Sequence, residues 1–115
     1  MTRLYSFTET VTVVARLSET QLSAFVEAEL VRPLESERGQ MFRQMDIARL
    51  ELLCDLAEGY GLDEDALGVI MSLVDQLHGV RAELRAVLAT LDEADPELCE
   101  RVARRLREAR SAAIE

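Results

Sequence analysis

The sequence predicts a mainly α protein in which short helices surround a small β element and lead into a long coiled-coil helix and a further short terminal helix. Apolar residues recur at steps of three and four over most of the 115 residues, and only two prolines interrupt them. Polar residues that open helices stand at Ser18, Asp46 and Asp95, each ahead of such a run. From Leu67 to Leu91 large apolar side chains form one ladder, longer than a small core can cover. The length suits one domain with a single modest core. Within it, residues 1–62 form the region around the β element, residues 63–91 the long helix, and residues 92–115 a hinge and an amphipathic terminal helix.

Taken in order, Leu4 to Phe7 opens an alternating stretch that continues through Val11 and Val13, while Phe7, Val11 and Val14 also share a helix face. The reading is a short strand over Leu4–Phe7 and a short helix over Thr8–Arg16. Ser18-Glu19-Thr20-Gln21 has the form of a capping box, Ser at the cap and Gln three residues on. The helix it opens would bury Leu22, Phe25, Val26 and Leu30, and would end near Leu30, because Pro33 disfavours helical geometry at Arg32 and has no N–H to donate. Leu34 to Gln44 is polar, contains Gly39, and is bracketed by Leu34 and Phe42, which suits either a two-stranded wing or a plain surface loop.

Asp46 caps a third helix with Ile47, Leu50, Leu53, Cys54 and Ala57 on one side and Glu51, Asp55 and Glu58 on another; Gly59 and Gly61 end it. Asp63, Glu64 and Asp65 crowd the first turn of a fourth helix, where the positive end of the helix dipole favours carboxylates. Its seam is read as Leu67, Ile70, Val74, Leu77, Leu84, Leu88 and Leu91, with Arg81 at the one polar position. Gly68 and Gly79 each cost about 1 kcal/mol relative to Ala, so the helix either makes a close contact or breaks near Gly79. Asp92 to Asp95 is an acidic hinge. Asp95 and Pro96 then start a last helix with Leu98, Val102, Leu106 and Ala109 inward and arginines toward its end.

A formal net charge of -9 argues against a nonspecific grip on nucleic acid or on an anionic membrane and suits a basic partner. The helix after Ser18 offers Glu19, Glu27 and Glu29 outward and no Arg or Lys, whereas a DNA reader needs several cationic contacts to the phosphates. No run approaches the roughly 18 apolar residues of a membrane span, and the N-terminus lacks a signal-peptide pattern, so a cytoplasmic protein is expected. Cys54 and Cys99 stand far apart and outside any C-x-x-C pair, and are expected to be reduced, packed thiols. With His78 as the one histidine, no calcium-loop spacing, no Gly-x-Ser-x-Gly and no phosphate-cradling glycines, neither metal, cofactor nor catalysis is expected.

Glu51, Asp55 and Glu58, four and three residues apart, align on one helical stripe. Such a stripe is either a solvated face or a docking surface for a basic helix, and Asp63, Glu64 and Asp65 could extend it. Like charges this close cost a few tenths of a kcal/mol, which points to something that compensates them.

The succession of helix, helix, wing, helix and long hydrophobic helix resembles the MerR-type winged helix. Within that group Leu30-Val31-Arg32-Pro33, Phe42, Asp46, and Leu62-Asp63 followed by Leu67-Gly68-Val69-Ile70-Met71-Ser72-Leu73-Val74-Asp75 resemble the chaperone-modulator (CbpM) family over roughly residues 4–91. The resemblance implies a small bacterial, noncatalytic protein that binds the J-domain of a DnaJ-like co-chaperone of the CbpA type and inhibits its stimulation of Hsp70. The apolar ladder from Leu67 to Leu91 itself predicts a homodimer, and the resemblance implies that the two long helices pair antiparallel. Asp63-Glu64-Asp65-Ala66 is more acidic than the Leu-Asp-Trp-Pro-Gly type of segment in the family, and the helix after Pro96 lies outside the resemblance. The alternative expectation is a MerR-like transcriptional regulator. Such a protein should carry cations on the Ser18 helix and wing, where Arg38 and Arg43 are instead offset by Glu35 and Glu37.

Overall fold

Ser6 ends the first strand and begins the first helix. In the computed structural model, which describes residues 2–114, its hydroxyl accepts the Glu9 N–H at 3.2 Å, and the Glu9 carboxylate accepts the Ser6 N–H at 3.0 Å. This reciprocal cap closes β1 (Leu4–Ser6) and opens α1 (Phe7–Val13), one residue earlier than the sequence pattern indicates. The chain continues through α2 (Glu19–Glu27), β2 (Leu34–Ser36), β3 (Gly39–Arg43), α3 (Gln44–Gly59), α4 (Glu64–Ala94) and α5 (Pro96–Ile114). The fold is mainly helical, with a three-stranded antiparallel sheet in the order β1-β3-β2.

The chain divides into two compact units, the first ending at Ser72 and the second beginning at Leu73. The first holds the core: Phe42, Leu22, Leu50, Leu53, Val31 and Cys54 are fully enclosed, with Leu67 and Met71 from the start of α4. Leu34–Arg43 folds as a hairpin, with Ser36 opposite Gly39. Ser36 Oγ donates to the Gly39 carbonyl at 2.8 Å and accepts the Arg38 N–H at 3.2 Å, so the tip is pinned by one side chain. Phe42 on β3 faces the core, and β1 pairs Tyr5 opposite it.

Three further helix boundaries differ from expectation, the first being that α1 ends at Val13 rather than at Arg16. α2 ends at Glu27 rather than near Leu30, and Pro33 does not set its end. The Glu29 N–H bonds to the Val26 carbonyl and the Leu30 N–H to the Phe25 carbonyl, with Glu29 in the left-handed region at φ 59°. This is a Schellman ending, with buried Leu30 and Phe25 supplying its apolar contact. α3 starts at Gln44, so Asp46 does not precede the helix but sits inside its first turn and reaches back to accept the Arg43 N–H at 2.8 Å. At Ser18 only half of the capping box forms: the hydroxyl accepts the Gln21 N–H at 3.0 Å, while the Gln21 side-chain oxygen faces Cys54 Sγ at 3.9 Å.

α4 is helical over its whole length, Glu64–Ala94. It passes through Gly68 and Gly79, where an added methyl group would meet nothing within 4 Å. Among the described residues neither a break nor a close contact accounts for those glycines. In the second unit the chain turns at Asp95, whose N–H bonds to the Leu91 carbonyl at 2.7 Å and whose carboxylate caps α5 through the Leu98 N–H at 3.2 Å. Cys99 Sγ then donates to the Leu88 carbonyl at 3.3 Å, so the start of α5 lies against α4. Among the described residues no helix is long and apolar enough to cross a membrane.

Candidate functional site

The 3.6-residue period of α3 buries Ile47, Leu50, Leu53 and Cys54 and leaves Glu51, Asp55 and Glu58 exposed. The charge that compensates them comes from elsewhere in the chain. Val14 and Leu17 are buried and joined by a Leu17 N–H to Val14 carbonyl bond of 3.0 Å, which turns the intervening Arg16 outward. Its guanidinium pairs with Asp55 and reaches Glu58 Oε2 at 3.5 Å. All three side chains are about half exposed, so the pairs contribute at most about 1 kcal/mol. Their effect is on charge: one cation already occupies two of the three carboxylates. Nothing local in the sequence links Arg16 to α3.

Beside this cluster Val13, Val14, Ala15, Arg16, Glu51, Cys54 and Asp55 line a cleft of about 300 Å³. Burial pushes the Cys54 thiol above its ordinary pKa, the Glu58 and Glu51 charges add to the rise, and Arg16 opposes it. A thiol held protonated in this way lacks the thiolate character of a nucleophile. Asp63 is committed as the cap of α4, its carboxylate accepting the Ala66 N–H at 2.9 Å, while Glu64 and Asp65 stay exposed in the first turn. The two acidic groups thus belong to different elements.

The surface of α2 carries Glu19, exposed Glu27 and, just beyond its end, Glu29, with no basic residue in its last turn. On the hairpin Arg38 is exposed at the tip, but Arg43 is held by Asp46 through bonds of 3.0 and 3.2 Å and donates to the Arg32 carbonyl at 3.2 Å. No group of three or more His, Cys, Asp or Glu among the described residues could hold a metal ion.

The residues read as a seam do not lie on one free face. Leu67 is enclosed in the core, Ile70, Val74, Leu88 and Leu91 are half-buried, and Leu77 and Leu84 are exposed. The exposed apolar stripe of α4 instead follows Val69, Leu73, Leu77, Val80, Leu84 and Val87, between 42% and 63% exposed. Arg81 stands beside this stripe rather than in it. From Leu73 the steps alternate four and three through to Leu91, a heptad pattern, and following both registers of the helix would have found Leu73, Val80 and Val87.

Comparison with family models, curated proteins and solved structures finds no match to this chain.

Proposed function

We propose that this chain is a noncatalytic modulator that inhibits a DnaJ-like co-chaperone in the bacterial cytoplasm, holding the basic helix of the J-domain against the acidic face of α3 and so blocking its action on Hsp70. The exposed carboxylate face of α3 is the observation that carries the reading. The face already seats one guanidinium across Asp55 and Glu58, and Glu51 borders the adjoining cleft. A basic helix presenting Arg or Lys residues would offer the same kind of contact from outside, and Glu64 and Asp65 would add to the field that attracts it.

Complementarity of this kind mainly accelerates association, so affinity should fall as salt rises and the Debye length shortens from about 10 Å at 0.1 M to about 3 Å at 1 M. The test is calorimetry of the purified chain with a J-domain at two salt concentrations, alongside Hsp70 ATPase stimulation by the J-protein. The variant Glu51→Lys, Asp55→Lys, Glu58→Lys should lose roughly 2 kcal/mol or more of binding, at about 1 kcal/mol for each close pair. If it folds normally and still binds and inhibits like the parent, the contact lies on α2 or the hairpin. If the parent binds no J-domain, the reading is wrong. The rival reading, a DNA-binding regulator, rests on the layout of short helices and hairpin. Tight, sequence-dependent gel-shift binding at low salt by the chain alone would put it first.

A further inference from the structure

We propose that Arg16 is a built-in gate on the acidic face of α3: it occupies Asp55 and Glu58 as an internal competitor, so that a single cation is turned away and only a helix carrying several basic residues displaces it. The identity of the partner rests on the co-chaperone reading; the gate is a property of this chain.

The first ground is the occupied state. Arg16 stands between α1 and α2, and its guanidinium pairs with Asp55 and reaches Glu58 Oε2 at 3.5 Å. A guanidinium or ammonium is also the group that a basic helix would bring. The contact that holds Arg16 and the contact proposed for a partner therefore compete for the same carboxylates.

The second ground is that the contact can open. Val14 and Leu17 are buried on either side of Arg16 and hold its backbone, but the Arg16, Asp55 and Glu58 side chains are each about half exposed. Exposed pairs of this kind are weak and are screened by salt, so rotation of the Arg16 side chain releases both carboxylates without unfolding anything. Arg16 also lines the cleft of about 300 Å³ that it shares with Val13, Ala15, Glu51 and Cys54, and the same rotation widens that cleft.

The third ground sets the kind of partner. The anchored backbone keeps the Arg16 guanidinium at an effective concentration near millimolar, and one free cation below that concentration competes poorly. Glu51, Asp55 and Glu58 lie four and three residues apart, about 10 Å along α3. A helix with Arg or Lys at matching steps engages all three at once, and its several contacts offset the one displaced.

The test compares the native chain with Arg16→Gln, which removes the charge and keeps most of the stem. Each is titrated with two probes, a J-domain and a labelled arginine-rich helical peptide, with circular dichroism to check that the chains fold alike. Arg16→Gln should bind each probe about fivefold more tightly at low salt, since no internal pair has to be given up. The gain should fade at 1 M salt. Arg16→Lys keeps the charge but loses the fork that bridges two carboxylates, and should gain less. Adding Asp55→Asn and Glu58→Gln to both chains should erase the difference between them. A gain on the peptide with no J-domain binding by either chain keeps the gate and ends the co-chaperone reading. Equal or weaker binding by Arg16→Gln overturns the gate while leaving that reading intact if the J-domain binds. A gain that survives the loss of Asp55 and Glu58 overturns the gate as well, and so does failure of both chains to bind either probe.

Discussion

The unit ending at Ser72 and the unit beginning at Leu73 are both largely helical, yet every buried described residue lies in the first. The first unit also carries thirteen carboxylates against six arginines, while the second balances nine against seven. The first has the means to fold alone and holds the charge that a basic partner would meet. The second exposes the apolar surface that the first encloses, so its order depends on what covers it. Helical periodicity in sequence is common to both and does not tell them apart; enclosure does.

The sharpest way to break this comparison is to remove one large apolar side chain from each unit. Phe42 is wholly enclosed, and Phe42→Ala should cost about 3–5 kcal/mol in urea unfolding, from lost transfer energy and the cavity left behind. Leu84 is already 42% exposed, so Leu84→Ala in dilute solution should change stability by no more than about 0.5 kcal/mol. Equal costs would mean that Leu84 is enclosed under the conditions of the measurement.

A smaller effect is expected at Asp46, whose side chain is nearly enclosed and serves two groups of Arg43, the backbone N–H at 2.8 Å and the guanidinium at 3.0 and 3.2 Å. Asp46→Ala should cost about 2 kcal/mol, combining a lost cap with lost charge-assisted bonds. Asp63→Ala removes an exposed cap from α4 and should cost about 1 kcal/mol or less, read from the same unfolding curves.

Both acids were legible only as residues near a helix start: Asp46 reads as the cap but lies in the first turn, and Asp63 reads as a first-turn residue but is the cap. The Ser18, Asp95 and Pro96 signals were readable because a cap depends on a few neighbouring positions. What could not be read was non-local or lacked the customary residue. Arg16 meets Asp55 and Glu58 only after α1 and α3 pack together. The end of α2 uses Glu29 where glycine is the usual signal, so Pro33 drew the boundary too late. On α4 two apolar stripes lie side by side, one partly entering the core through Leu67 and the other exposed through Leu73, Val80 and Val87. Periodicity alone favoured a ladder that mixed them and set Arg81 in its middle.

In the second unit Gly79 offers a test that touches no packing. The helix is continuous there, and a methyl group would meet nothing within 4 Å. Gly79→Ala should therefore raise helical stability by about 1 kcal/mol, measured as a higher melting temperature. In the heptad register of Leu77 and Val80 it lies off the seam, so the concentration dependence of the melt should be unchanged. A drop in stability would mean that another chain approaches the helix at that point.

A last effect is expected from the reverse exchange in the first unit, at Glu29. A side chain in the left-handed region costs roughly 1–2 kcal/mol through the crowding of Cβ against the following carbonyl, and glycine avoids it. Glycine also gains freedom in the unfolded chain, which offsets about 0.4–1 kcal/mol of that relief. Glu29 is exposed and its backbone N–H, which makes the turn bond to Val26, is retained on substitution. Glu29→Gly should therefore stabilise the first unit by about 0.5–1 kcal/mol, the difference of those two terms. Thermal melts of the full chain measure it, and Glu29→Ala is the informative control, since it removes the charge but keeps the Cβ. Stabilisation by Gly and not by Ala assigns the gain to backbone geometry. Equal stabilisation by both would assign it to relief of negative charge in a unit that already carries thirteen carboxylates, and would leave the Schellman ending without energetic consequence.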